Sequence, residues 1–133
     1  MPASKRHGGC LCGSVRFELT GYVRVHYCHC DMCRRATGSA FAVLVWTKTE
    51  AIAWTGKPKT RRSSPIATRS FCPECGTPIT LGYDARPNEI ALHVGVFDDP
   101  SMLIPQYNYG SGQRLDWVTC GIDLPHHFTE ERW

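Results

Sequence analysis

The stretch Tyr27-Cys28-His29-Cys30-Asp31-Met32-Cys33-Arg34-Arg35-Ala36-Thr37-Gly38-Ser39 sets three thiols at the spacing C-x-C-x-x-C. Two further pairs flank it, Cys10/Cys12 as C-x-C and Cys72/Cys75 as C-x-x-C. In an extended segment residues two apart project to one face, so C-x-C can turn both sulfurs towards one ion. C-x-x-C does the same across a tight turn. Seven cysteines at chelating spacings divide into four and three. Zinc takes four protein ligands at a structural site, and three where one position stays open for water or substrate. The distant pairs therefore make a closed four-thiolate site that ties the start of the chain to its middle. Cys28, Cys30 and Cys33 then form an open site, where three thiolates from one short loop grip an ion from one side. Thiolate is the softest common ligand and selects Zn²⁺ over Mg²⁺ or Mn²⁺. Two Zn²⁺ per chain are expected, the second held more labilely.

Other readings of these residues stay open. The outer four thiols can be buried free cysteines or disulfides, and His29 or Asp31 can supply a fourth ligand that closes the central site. His29 faces the wrong way for this if Cys28 and Cys30 share a face. Arg34 and Arg35 directly follow the third thiol. They serve either as a fork for a substrate carboxylate beside the metal or as one solvated helical turn. Lys57, Lys59, Arg61 and Arg62 read as a solvated loop, with an active-site lid or anion contact as the alternative. Cys120 is left over, and is read as a small buried hydrophobe rather than a redox group. His126 and His127 read as surface.

The rest of the chain suits a mostly β domain. Ser14-Val15-Arg16-Phe17-Glu18-Leu19 alternates strictly between polar and apolar residues, the pattern of a half-buried strand. Val23, Val25 and Tyr27 mark a second strand that delivers the chain into the cysteine stretch. Room remains for about one helical turn before Gly38. Ala40-Phe41-Ala42-Val43-Leu44-Val45-Trp46 is a continuous apolar run, fitting a strand buried on both faces. Shorter strands are expected over residues 50–54, 79–83 and 89–96, the last two paired. Residues 1–7 read as a mobile lead-in and 57–64 as a loop. Asp98-Asp99-Pro100-Ser101 reads as the start of a short helix. Residues 1–133 are taken as one domain, with the motif-bearing core at about 5–120.

With 42% hydrophobic and 20% charged residues, the composition is that of an ordinary globular protein. The formal charge of +3 counts thiols as neutral. Seven thiolates and two divalent ions cancel it, so the basic balance is no evidence for a nucleic-acid partner, which is not expected. No apolar run nears the roughly 18–20 residues of a membrane span. Basic residues near the N-terminus precede no apolar segment, so no signal peptide is expected. A reducing, cytoplasmic setting follows, in which eight cysteines serve as ligands or free thiols.

Three motifs in this order carry a resemblance: Gly9-Cys10-Leu11-Cys12-Gly13-Ser14-Val15, then Cys28 through Ser39, then Phe71-Cys72-Pro73-Glu74-Cys75-Gly76-Thr77. Together they resemble the glutathione-dependent formaldehyde-activating enzymes, a family that shares its domain with centromere protein V. The tail Leu115-Asp116-Trp117 with Ile122-Asp123-Leu124-Pro125 is similar to the family's ending. The resemblance implies a β-tent fold of the Mss4-like kind, two antiparallel sheets joined at a zinc site. It also implies structural zinc on Cys10, Cys12, Cys72 and Cys75, and catalytic zinc on Cys28, Cys30 and Cys33. The implied activity is that of a carbon–sulfur lyase or synthase handling S-hydroxymethylglutathione or another small-thiol adduct. Two alternatives stand beside it. One is a non-catalytic zinc module for protein or nucleic acid. The other is a thiol redox enzyme of the same fold, using Cys120.

Overall fold

The computed structural model describes residues 5–129. Strands β1 (Lys5–Gly9), β2 (Arg16–Thr20) and β3 (Arg24–Cys28) lead into helix α1 (Asp31–Thr37). Strands β4 (Ala42–Lys48), β5 (Ile52–Thr55), β6 (Lys59–Ser64), β7 (Ala67–Phe71), β8 (Pro78–Tyr83) and β9 (Glu89–His93) follow. The two-residue strands β10 (Asn108–Tyr109) and β11 (His126–His127) close the described chain. A small sheet has the order β1-β2-β5, and a large one the order β11-β10-β3-β4-β9-β8-β7-β6. Pairing is antiparallel throughout both, apart from the short parallel contacts of β10 with β3 and with β11.

Period-two alternation gives the large sheet two different faces. On one, Val25, Val45 and Leu92 pack with Val15, Phe17 and Leu19 of the small sheet's side, together with Ile52 and Phe97. Phe17 meets the rings of Trp54 and Phe97 edge-on, at centroid distances of 5.7 and 5.2 Å. Gly8 lies beneath that ring, where a Cβ would come within 2.2 Å of the Val96 carbonyl oxygen, so only glycine fits. On the other face Leu44, Trp46, Leu81 and Ala91 pack with Cys28, Cys30 and Cys33.

Four expectations need correction. Residues 5–7 are not a lead-in but part of β1, hydrogen-bonded to β2; residues 1–4 of that expectation lie outside the described residues. The stretch 57–64 is not a loop, since Lys59–Ser64 forms the edge strand β6 against β7. Its pattern concealed this because its side chains are exposed or half-buried, as suits a charged sheet edge. Asp98-Asp99-Pro100-Ser101 starts no helix. Asp98 is held by the Arg16 guanidinium, and the Asp99 carboxylate accepts from the Ser101 amide and hydroxyl in a local turn. Elsewhere residues 42–46 of the run 40–46 fall in the buried strand β4 (Ala42–Lys48), and β8 pairs with β9. The last residues of the expected 89–96 strand, Val94–Val96, turn instead as a 3₁₀ helix.

Candidate metal centres and the adjoining pocket

The β1–β2 connection brings Cys10 and Cys12 to the β7–β8 connection, which carries Cys72 and Cys75. Each loop is a tight turn. The Gly13 amide donates to the Cys10 carbonyl across 3.2 Å, and the Gly76 amide to that of Cys72 across 2.9 Å. The Leu11 amide, donating to Thr77 Oγ1, ties one loop to the other. All four sulfurs lie within 4.8 Å of one another, with Cys10–Cys12 at 3.6 Å and Cys12–Cys72 at 3.8 Å. A tetrahedron of zinc–sulfur bonds has an edge of about 3.8 Å, whereas a disulfide needs about 2 Å. These are free thiols at metal-chelating separations.

Backbone amides point at two of the four sulfurs. Val15 N–H points at Cys10 Sγ (3.3 Å), and those of Glu74 and Cys75 at Cys72 Sγ (3.4 Å each). Burial opposes ionisation of Cys10, yet the Val15 amide and neighbouring thiols and hydroxyl draw its pKa down to about 7. The Thr77 hydroxyl and amide draw Cys75 to about 5.

The central trio is assembled differently. Cys28 ends β3, Cys30 is the N-cap of α1, and Cys33 sits in its first turn. Cys30 Sγ accepts from the Cys33 amide across 3.4 Å, so one sulfur both caps the helix and joins the cluster. Gly38, at φ 71°, ends the helix in a left-handed cap with its N–H on the Arg34 carbonyl. The three sulfurs lie within 4.8 Å of one another and are buried. Among the described residues no further His, Cys, Asp or Glu joins them. His29 turns away: its Nε2 meets Asn108 Oδ1 at 2.9 Å. The Asn108 amide group donates to the carbonyls of Gly121 and Pro125, so Oδ1 accepts and His29 Nε2 carries the proton. Asp31 is exposed, at the helix start. Hydrogen bonds from Cys28 and Cys30, then the charge of Arg69, draw the Cys33 thiol down to about 3; hydrogen bonds with Cys30 and Cys33 push Cys28 up.

Neither arginine singled out from the sequence lines the pocket beside the trio. Arg35 is exposed, and Arg34 is half-buried with its Nε lacking a hydrogen-bond partner among the described residues. The pocket, about 240 Å³, is lined instead by Ala36, Arg61, Arg69, Ser70, Thr80 and His93, among others. Arg69 and His93 went unnoticed in the sequence. The available signal was each one's place in an otherwise inward-facing row of its strand, Arg69 in step with Ala67 and His93 with Ala91. Burial, with a further push from Arg69, lowers His93 to about 4, so its ring is neutral at pH 7. Across the sheet Arg61, Arg69, Leu81, Ala91 and Trp46 stand in one row, which places both arginines on the trio's face. Cys120, expected to be buried, is exposed. His126 and His127 are exposed as expected.

Fold and site together define a mostly β protein of two sheets, with two cysteine groups able to hold metal ions. The chain belongs to the glutathione-dependent formaldehyde-activating enzyme family, whose model matches residues 5–110. It is 26% identical over 91 residues to a protein of Schizosaccharomyces pombe named as an uncharacterized lyase, a match covering 68% of this chain and 66% of that protein. The chain thus spans just under two thirds of that relative's length. A crystal structure of a Rhodobacter sphaeroides protein superposes with a TM-score of 0.56 at 19% identity, covering 91% of this chain and 99% of the other. That likeness speaks to the fold. No described helix is long and apolar enough to cross a membrane.

Proposed function

We propose that residues 1–133 form one zinc-dependent carbon–sulfur lyase or synthase domain, acting on a glutathione or other small-thiol adduct such as S-hydroxymethylglutathione. The observation carrying this reading is the three-sulfur group that no fourth protein ligand completes among the described residues. Membership of the family and the lyase-named relative support it. Cys10, Cys12, Cys72 and Cys75 would hold a structural Zn²⁺; Cys28, Cys30 and Cys33 would hold a catalytic one. Zinc with an open position lowers the pKa of a bound thiol or water and polarises oxygen as a Lewis acid. In the cleavage direction the C–S bond of a hydroxymethyl thioether breaks, the hydroxyl proton leaves, and the products are an aldehyde and a thiol. The hydroxyl proton passes to the departing sulfur, and Arg69, whose Nη2 donates to Cys33 Sγ, would steady negative charge near sulfur. A cytoplasmic setting accords with the eight free cysteines.

The alternatives gain no comparable support. In the basic cluster of Lys57, Lys59, Arg61 and Arg62, on which a nucleic-acid module would draw, the Arg62 fork is taken up by Asp84 at 2.7 and 2.8 Å. Arg61 lines the pocket. A redox role for Cys120 rests on one exposed thiol. The test is zinc content per chain, followed by turnover of S-hydroxymethylglutathione by the wild type and by Cys28→Ser. Two zincs, and turnover lost with the second, would support the reading. One zinc per chain with no response to any thiol would sink it.

A further inference from the structure

Arg69 is 7% exposed, and its two terminal nitrogens have different fates. Nη2 donates to Cys33 Sγ across 3.5 Å, while Nη1 is buried with no hydrogen-bond partner among the described residues. A buried guanidinium N–H without an acceptor is costly, so the site is built to receive one. The pocket into which Arg69 faces has no Asp or Glu in its lining. Arg61 stands opposite Arg69 in the β6–β7 register and adds a second positive charge. The hydroxyls of Ser70 and Thr80 bond to each other, and His93 is uncharged at neutral pH. Among the described residues the cavity thus has two guanidinium groups and no carboxylate in its lining, and the Cys33 sulfur faces Nη2 alone.

We infer that this pocket is a carboxylate subsite, in which Arg69 Nη1 and Arg61 grip the acid group of a thiol-bearing carboxylic acid whose sulfur end lies at the Cys28/Cys30/Cys33 group. The inference deepens the thiol-adduct reading and rests on it. One guanidinium then faces the sulfur cluster with one nitrogen and the substrate acid with the other. Carboxylate and thiol must therefore be separated by a short chain of a few bonds. A volume of about 240 Å³ suits an acid group and a short linker. Arg34 and Arg35, on the helix, are not among the residues lining this pocket.

The experiment is calorimetric titration of the zinc-loaded protein with 3-mercaptopropionate, 2-mercaptoethanol and propionate, with the His93 ring resonances followed in parallel. The thiol acid is expected to bind about tenfold tighter than the neutral thiol, the advantage of a charge-assisted hydrogen bond. Propionate alone should shift His93. Arg69→Gln should bring the thiol acid down to the level of the neutral thiol, and Arg61→Ala should cut the preference about threefold. Should Arg69→Gln fail to fold, Arg61→Ala and the propionate titration of the unmodified protein still decide the matter. Equal affinity for the two thiols, or a preference surviving Arg69→Gln, overturns the subsite and leaves the lyase reading standing. If neither thiol binds while propionate still shifts His93 in an Arg69-dependent way, the subsite stands and the thiol-adduct reading falls.

Discussion

Arg69, buried on β7, directs its Nη2 donor at Cys33 Sγ on α1, 3.5 Å away. The bond joins a strand near the far edge of the large sheet to the first turn of the helix after β3. The cation favours the thiolate form of Cys33. Replacing Arg69 by Met removes that charge and raises the sulfur's affinity for protons. Protons then compete better with metal, so zinc should leave the trio at a pH higher by on the order of one unit. A metallochromic chelator read across a pH series checks this; an unchanged release midpoint would show that the contact is only packing.

The two sulfur groups should respond differently to loss of one ligand. Cys72→Ser breaks the group joining the two sheets and forfeits metal-linked folding free energy on the order of 10 kcal/mol, so the chain should not unfold cooperatively. Cys28→Ser should leave a folded protein with one zinc. Metal analysis and thermal unfolding distinguish the two variants.

His93 gives a stability that depends on pH. Its folded pKa of about 4 lies below the ordinary value of 6.5, because burial and then Arg69 disfavour its charged form. Between these values the unfolded chain binds more protons than the folded one, so stability falls as pH drops from 6.5 towards 4. The loss attributable to this ring at pH 5 is about 2 kcal/mol. His93→Gln should flatten that part of the curve in urea titrations, and an unchanged slope would assign the effect elsewhere.

Gly110 has φ 65°, and a Cβ there would lie 2.9 Å from the Cys30 amide nitrogen and 3.3 Å from its Cα. Gly110→Ala adds strain of about 1–3 kcal/mol directly behind the trio. Faster zinc loss from the trio is expected, with the outer four sulfurs unaffected; cobalt substitution separates the two by their absorption.

Leu19 is fully buried between the sheets. Leu19→Ala should cost about 2–5 kcal/mol with little change in m-value, measured by denaturant titration.

Much of this architecture was legible in the chain because cysteine spacing is local. C-x-C at a strand end and C-x-x-C across a turn state their geometry without reference to distant residues, and the alternation from 14 to 19 falls on β2. The failures come where a partner decides the conformation. β6 has no apolar period to betray it and is a strand because β7 offers a free edge. Asp98 looks like a helix cap until Arg16, far away in sequence, takes its carboxylate. Arg69 and His93 escaped for the same reason. Their importance lies in what faces them across the sheet, and a single strand's sequence does not contain that. Cys120 was expected inside on residue type alone, and the loop carrying it lies at the surface.

Sixty positions of chain separate Cys12 from Cys72, yet their sulfurs are 3.8 Å apart. Before the sheets meet, the nascent polypeptide offers an ion only two-sulfur holds, C-x-C at one place and C-x-x-C at another. Tight capture must await docking of elements far apart along the chain, a slow event in folding. The moment of zinc uptake is therefore a clock for tertiary assembly. The trio, carried on contiguous residues, can fill on a different schedule. A stopped-flow zinc trace on refolding should show two phases, and only the slower should track the burial of Phe17 and Leu19.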